Sequence, residues 1–191
     1  MVETPDTRYS PRASFVCILR KRGDDIEVCV TPTVNKSGVV LSIYKLVGGT
    51  SEERVDELGV PVDNLFETHR DTIYREVLEE TGGGILLGKI EEALTELASD
   101  QRDPDSRPHY RRFYLALEWE GSIETPLPSE DAPARWMSIS AFRRNALQSH
   151  IEGFLACLDL KCQKNPKFLE LLRRQEGFEK YEPMSVPRGG R

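Results

Sequence analysis

The apolar positions of this chain fall into two periods, and the change from one to the other divides it. Ala13 to Leu19 is a nearly continuous apolar run, as expected of a strand covered on both faces. Polar residues from Arg20 to Asp25 then turn it into a second short run, Ile26 to Val30, so the pair predicts a hairpin. A loop containing glycine and asparagine leads to a third strand, Val39 to Leu46, which delivers Gly48-Gly49. Between Thr68 and Thr81 the period becomes helical. At roughly 100° per residue, Ile73, Tyr74, Val77, Leu78 and Thr81 form a stripe that can pack on a core. Gly82-Gly83-Gly84 then offers left-handed conformations to end the helix.

Strands are predicted again over Ile85–Leu87, Ala93–Ala98 and Tyr110–Trp119, with a polar loop from Ser99 to Pro108. Arg135–Ile139 is read as the mate of Tyr110–Trp119. The proline-rich, acidic stretch from Pro126 to Pro133 cannot be a central strand and reads as a loop. From Ser140 the spacing of Phe142, Leu147, Ile151, Phe154, Leu155 and Leu158 is helical, and a second helix begins after Pro166. Residues 1–11 and 181–191, rich in polar residues, proline and glycine, are expected to be a flexible arm and tail around one domain, 12–180.

Composition narrows the class. The chain has 191 residues, 38% hydrophobic and 30% charged, with a net charge of −6. That is enough to bury a sizeable core without staples, and it indicates neither a disordered chain nor a nucleic-acid coat. No apolar run approaches a membrane span, and the N-terminus lacks the form of a signal peptide, so a cytoplasmic protein is expected. The cysteines at 17, 29, 157 and 162 form no Cys-x-x-Cys pair and lie at no zinc spacing from a histidine; Cys17 and Cys29 read as small core residues. His69, His109 and His150 are dispersed, and only His69, beside the helix start, is kept as a minor candidate for substrate contact. The basic run Arg20-Lys21-Arg22 could meet phosphate, but a solvated hairpin end is the simpler reading.

The candidate chemistry lies on the central helix. Glu76, Glu79 and Glu80, spaced i, i+3, i+4, share one face about 100° wide. On a bare helix they repel by a few tenths of a kcal/mol, so the cluster calls for a cation. Carboxylate oxygens are what Mg²⁺ or Mn²⁺ prefer, and Mg²⁺ takes its remaining ligands from water and substrate phosphates. A solvated acidic helix face is the ordinary alternative.

The residues around that face resemble the signature box of the Nudix hydrolases. That box is a glycine, five residues, a glutamate, seven residues, then Arg-Glu-aliphatic-x-Glu-Glu-x-Gly and a closing aliphatic residue. From Glu67 through Arg75-Glu76-Val77-Leu78-Glu79-Glu80-Thr81-Gly82 every fixed position is present. There are three departures: seventeen residues, Thr50 to Phe66, separate Gly49 from Glu67; Gly83 stands at the closing aliphatic position; and Val47 replaces a frequent proline. Added loop length is tolerated thermodynamically, so the insertion is expected to alter the substrate rim, as a flap, rather than the chemistry.

The resemblance implies an α+β fold, an α/β/α sandwich with a mixed sheet, the box helix on one side and the C-terminal helices covering the other. It implies a metal-dependent hydrolase that cleaves the pyrophosphate bond of a nucleoside diphosphate linked to another moiety, using Mg²⁺ or Mn²⁺. By the same resemblance Glu76, Glu79 and Glu80 hold metal, the carbonyl of Gly49 joins the shell, and Arg75 pairs with Glu67 to orient the glutamates. Glu130, six residues before Trp136, takes the place of a loop glutamate that reaches the metals in some relatives, as a ligand or as the base. Tyr44 stands where relatives carry an aromatic residue near the nucleobase. The downstream signatures for dinucleoside polyphosphate, ADP-ribose or NADH preference, and the coenzyme A signature before the box, are missing, so the substrate stays open. A small-molecule partner is expected, nucleic acid only as a capped end, and a homo-oligomer is compatible. The alternative is a catalytically silent Nudix-fold module that binds a nucleotide or a protein, which the intact glutamate set disfavours and the long insertion favours.

Overall fold

The computed structural model describes residues 12–34, 37–55, 58, 61–98, 109–123 and 133–184. The elements are β1 (Ala13–Cys17), β2 (Leu19–Arg22), β3 (Asp25–Val34), β4 (Val40–Thr50), β5 (Glu53–Val55), β6 (Pro61–Phe66), α1 (His69–Glu80), β7 (Ile85–Leu87), β8 (Ile90–Ala98), β9 (His109–Ala116), β10 (Trp119–Gly121), β11 (Arg135–Ser138), α2 (Ile139–Asn145), α3 (Gln148–Lys164) and α4 (Pro166–Leu172). The principal sheet has seven strands in the order β11-β3-β4-β1-β9-β8, with β2 also paired to β3. It is mixed: β1 runs parallel to β9 and antiparallel to β4. The expected α/β/α sandwich is what forms.

Alternation along the strands sorts the apolar residues into two cores, one on each face. Phe15, Cys17, Val28, Val30, Leu46, Phe113 and Leu115 face α2, α3 and α4, whose Phe142, Phe154, Leu158 and Phe168 complete that layer. Val16, Ile18, Cys29, Val47 and Tyr114 face α1, which contributes Ile73 and Val77. β1 is buried along its whole length because it supplies both layers. Cys17 and Cys29 are buried free thiols, as read from the sequence.

Helix α1 opens on a capping box. Asp71 N–H donates to Thr68 Oγ1 at 3.1 Å, and Thr68 N–H donates back to Asp71 Oδ2 at 3.3 Å. It ends on Gly82 and Gly83, both left-handed, and Gly83 N–H donates to the Leu78 carbonyl at 2.8 Å. Its buried stripe is narrower than expected. Ile73, Val77 and Thr81 are buried, but Tyr74 and Leu78 are 40% and 52% exposed. The helix meets the sheet along one line, and Tyr74 instead donates from its hydroxyl to the Gly88 carbonyl.

Other expectations change. β4 does not stop at Leu46 but runs through the two glycines to Thr50, because Ser14 and Ala13 of β1 pair with Gly49 and Thr50. The spacer is not a plain loop: β5 and β6 pair antiparallel within it. Arg135–Ser138 pairs with β3 rather than with the Tyr110–Trp119 segment, which breaks after Ala116; its last part, β10, pairs with β7. The basic run Arg20 to Arg22 is strand β2, where Arg20 donates to Glu27 at 2.6 Å and stacks on Trp136. Ser99–Pro108, Glu130 and the segments 1–11 and 185–191 lie outside the described residues, whereas the Tyr181 hydroxyl donates to Asp159 of α3. No described helix is long and apolar enough to cross a membrane.

Candidate active site

The site lies where the C-terminal end of β4 crosses α1. Lys45, Val47 and Gly49 alternate toward the helix, and Gly48 turns its N–H to Glu80, donating to Oε2 at 2.9 Å. The glycine pair is a steric requirement. At Gly48, with φ of 137°, a Cβ would lie 2.1 Å from the Ser14 carbonyl oxygen. At Gly49 it would lie 2.2 Å from Glu76 Oε1, so a side chain there would evict the carboxylate.

Arg75 organises the acids. Its guanidinium donates to Glu67 Oε1 at 3.0 Å, to Glu76 Oε1 at 3.1 Å, to Glu79 Oε2 at 3.0 Å and to the Thr50 carbonyl at 3.0 Å. Glu67 is itself fixed, its Oε2 accepting from the Glu52 N–H and the Thr72 hydroxyl. Arg75, Glu67 and Glu76 are 19%, 16% and 15% exposed, whereas Glu79, though bonded to Arg75, is 57% exposed. Glu80 is separate from this network: Lys45 Nζ lies 3.1 Å from its Oε1 and donates to the Gly48 carbonyl at 2.7 Å.

The electrostatics follow. Burial, then the neighbouring Glu80, raises the pKa of Glu76 against the opposing pull of Arg75 and Lys45. Burial likewise raises Glu80, with Lys45 and the Gly48 N–H opposing. The Thr31 hydroxyl is near enough to favour the charged Glu80 but is outside hydrogen-bond geometry. Burial alone would lower Arg75, yet the hydrogen bond to Glu67 and the charges of Glu76 and Glu67 hold it above its ordinary value. Among the described residues no three acidic, histidine or cysteine side chains converge as a ready-made ion set. The donors nevertheless suit a hard cation: two carboxylates that burial makes reluctant to stay charged, beside a glycine backbone that leaves them room.

Of the residues singled out in the sequence, Glu67, Arg75, Glu76, Glu79, Glu80 and Gly49 are brought together. Tyr44 is not: it packs against the core on the opposite face, with the Arg135 guanidinium 4.9 Å above its ring. Glu130 falls outside the described residues; four positions further on, the Ala134 N–H donates to the Glu80 carbonyl at 2.9 Å. His69 is buried, with Nδ1 2.7 Å from Ser14 Oγ, and so ties α1 to β1 rather than facing a ligand. Sequence reasoning missed Lys45. Strand alternation back from Gly49 placed it on the helix-facing side and would have found it.

A strand end bearing two glycines, crossed by a helix whose arginine gathers three glutamates, defines a carboxylate site on an α+β sandwich. The NUDIX domain family model matches residues 11–156, and the chain belongs to that family. Among solved structures, the Escherichia coli ORF135 protein is 15% identical with a TM-score of 0.53, covering 81% of this chain and 93% of its own. The NUDIX domain of Shewanella oneidensis NrtR complexed with ADP ribose is 15% identical at 0.53, covering 78% and 86%. NrtR complexed with a 27mer DNA is 16% identical at 0.53, covering 80% of this chain but 63% of that longer one. At these identities the likeness is one of fold. None of the curated proteins matches the chain.

Proposed function

We propose that the chain is a metal-dependent pyrophosphohydrolase acting on a nucleoside diphosphate linked to another moiety. The observation that carries the reading is the Arg75 network, which holds Glu67, Glu76 and Glu79 against the glycine end of β4. Glu76, Glu79, Glu80 and the Gly49 carbonyl would hold Mg²⁺ or Mn²⁺. When bound, such a cation supplies charge neutralisation of the diphosphate and a more acidic water. Arg75 and Glu67 position: they fix Glu76, and Arg75 also bonds Glu79, the more exposed carboxylate. Glu130, four positions before Ala134, whose N–H meets the Glu80 carbonyl, is assigned as a further ligand or as the base that takes the proton of the attacking water. The ADP ribose bound by the NrtR domain supports placing sugar-linked nucleoside diphosphates first among substrates. The test is a panel of nucleoside diphosphate derivatives with Mg²⁺ or Mn²⁺, read for nucleoside monophosphate or phosphate. Hydrolysis that EDTA abolishes is the expected result.

A second reading is a silent nucleotide-binding module. It is favoured by Lys45, which already pairs with Glu80, and by the ordered β5–β6 pair in the enlarged spacer. Saturable binding of a panel member without turnover in Mg²⁺ or Mn²⁺ would select it.

A further inference from the structure

Two cations serve the acidic face, and they are held differently. Arg75 bonds four groups, among them the Thr50 carbonyl and the semi-buried Glu67, so it cannot leave without opening the network. Among the described residues Lys45 bonds Glu80 Oε1 at 3.1 Å and the Gly48 carbonyl at 2.7 Å, and both lie at the β4–α1 crossing itself. Its ammonium is a compact point charge on a four-carbon stem with free rotations, unlike the planar fork of arginine. The two oxygens that it collects, a carboxylate and a backbone carbonyl, are of the kind a hard divalent ion takes at shorter distance, 2.0–2.1 Å for Mg²⁺. Glu76, facing Gly49, is close enough for the Lys45 charge to act on it as well. An ammonium and a divalent ion would therefore compete for Glu80.

We propose that Lys45 is the built-in cation of this cradle, holding Glu80 while no metal is present and leaving it when a divalent ion binds, so that Lys45 sets the metal affinity. This rests on the reading that the carboxylates hold an ion. The consequence is that metal does not meet bare carboxylates: it must displace a tethered competitor whose effective concentration is high. The metal-free fold gains by the same contact, because Glu80 without Lys45 would be a buried carboxylate with no cation beside it among the described residues, bonded by the Gly48 N–H.

The experiment uses the full chain. Acetylation of Lys45 is followed by peptide mass spectrometry at fixed pH, with EDTA and with saturating Mg²⁺, taking Lys161 and Lys167 as internal references. Lys45 should react at least about threefold faster with Mg²⁺ while the references do not change, since its contact with Glu80 is released. In parallel, Mn²⁺ binding by electron paramagnetic resonance should be at least about tenfold tighter in Lys45→Met than in the unaltered chain. Acetylation in the unaltered chain stands even if Lys45→Met fails to fold. If Mn²⁺ binds but Mg²⁺ leaves Lys45 acetylation unchanged or slows it, the inference is wrong and the metal reading survives. If Mn²⁺ binds neither protein, both fall together.

Discussion

Removal of the Arg75 guanidinium is the perturbation with the clearest expected size. Arg75→Ala strands Glu67 and Glu76, 16% and 15% exposed, and frees the Thr50 carbonyl. Breaking a buried ion pair by deleting one partner costs about 3 to 5 kcal/mol. The lower end applies, because the cluster reaches solvent at Glu79; we expect about 3 kcal/mol. For a chain of this length that is a fall in Tm of about 6 to 12 °C. The assay is urea unfolding, with Arg54→Ala as the control: its pair with Asp71 is about half exposed on both sides, so removal should change stability by no more than about 0.5 kcal/mol. Adding Glu67→Gln to Arg75→Ala should restore part of the loss, since the unpaired charge goes with it. A loss below about 1 kcal/mol for Arg75→Ala, or no coupling to Glu67, would refute the view of Arg75 as the organiser of the acids.

Gly48→Ala should destabilise by several kcal/mol through the clash with the Ser14 carbonyl, whereas Gly49→Ala should spare more stability but displace Glu76 and lower turnover on the order of 10²-fold; comparison of melting and rate separates them. His69 and His150 are held down to about pKa 3 chiefly by burial. The unfolded chain then binds more protons below pH 6.5, so their contribution, full above that value, is lost as pH falls toward 3, approaching about 2.7 kcal/mol per pH unit where both count. Glu76 and Glu80, raised, oppose this above pH 4.5, so unfolding should be followed in Glu76→Gln and Glu80→Gln, where a flat profile from pH 6.5 to 5 would contradict the assignment. Glu130→Gln should lower turnover with little change in melting, and Asp131→Asn should do much less; the reverse ranking moves the role to Asp131. Shortening the β5–β6 spacer to five residues should reorder substrate preference across the panel more than it changes turnover of a minimal substrate, and an unchanged ranking would make the spacer mere insertion.

What the sequence disclosed was local. The glycines after Thr81 mark the end of α1, because a C-cap depends on neighbours alone. The acidic face was legible for the same reason. Non-local pairings were not: β11 lies beside β3, a partner far away in sequence, and no periodicity encodes that choice. The glycine pair misled because glycine commonly marks a turn, whereas here β1 extends the ladder through it. Tyr74 and Leu78 carry the apolar period but stand outside the line along which α1 touches the sheet. Lys45 was overlooked because the repulsion among the glutamates was assigned wholly to an absent cation, when the chain brings two of its own, Lys45 and Arg75.

The central claim is that the α1 carboxylates hold the ion that drives hydrolysis. It is tested most directly by ³¹P NMR of a sugar-linked nucleoside diphosphate incubated with the unaltered chain and with Glu80→Gln at limiting Mg²⁺. Because desolvation outweighs Lys45 at Glu80, the Glu80→Gln protein should fold at least as stably without metal. The account predicts product signals from the unaltered chain and a rate lower by about 10² to 10³ from a folded Glu80→Gln, and equal rates from the two proteins would contradict it.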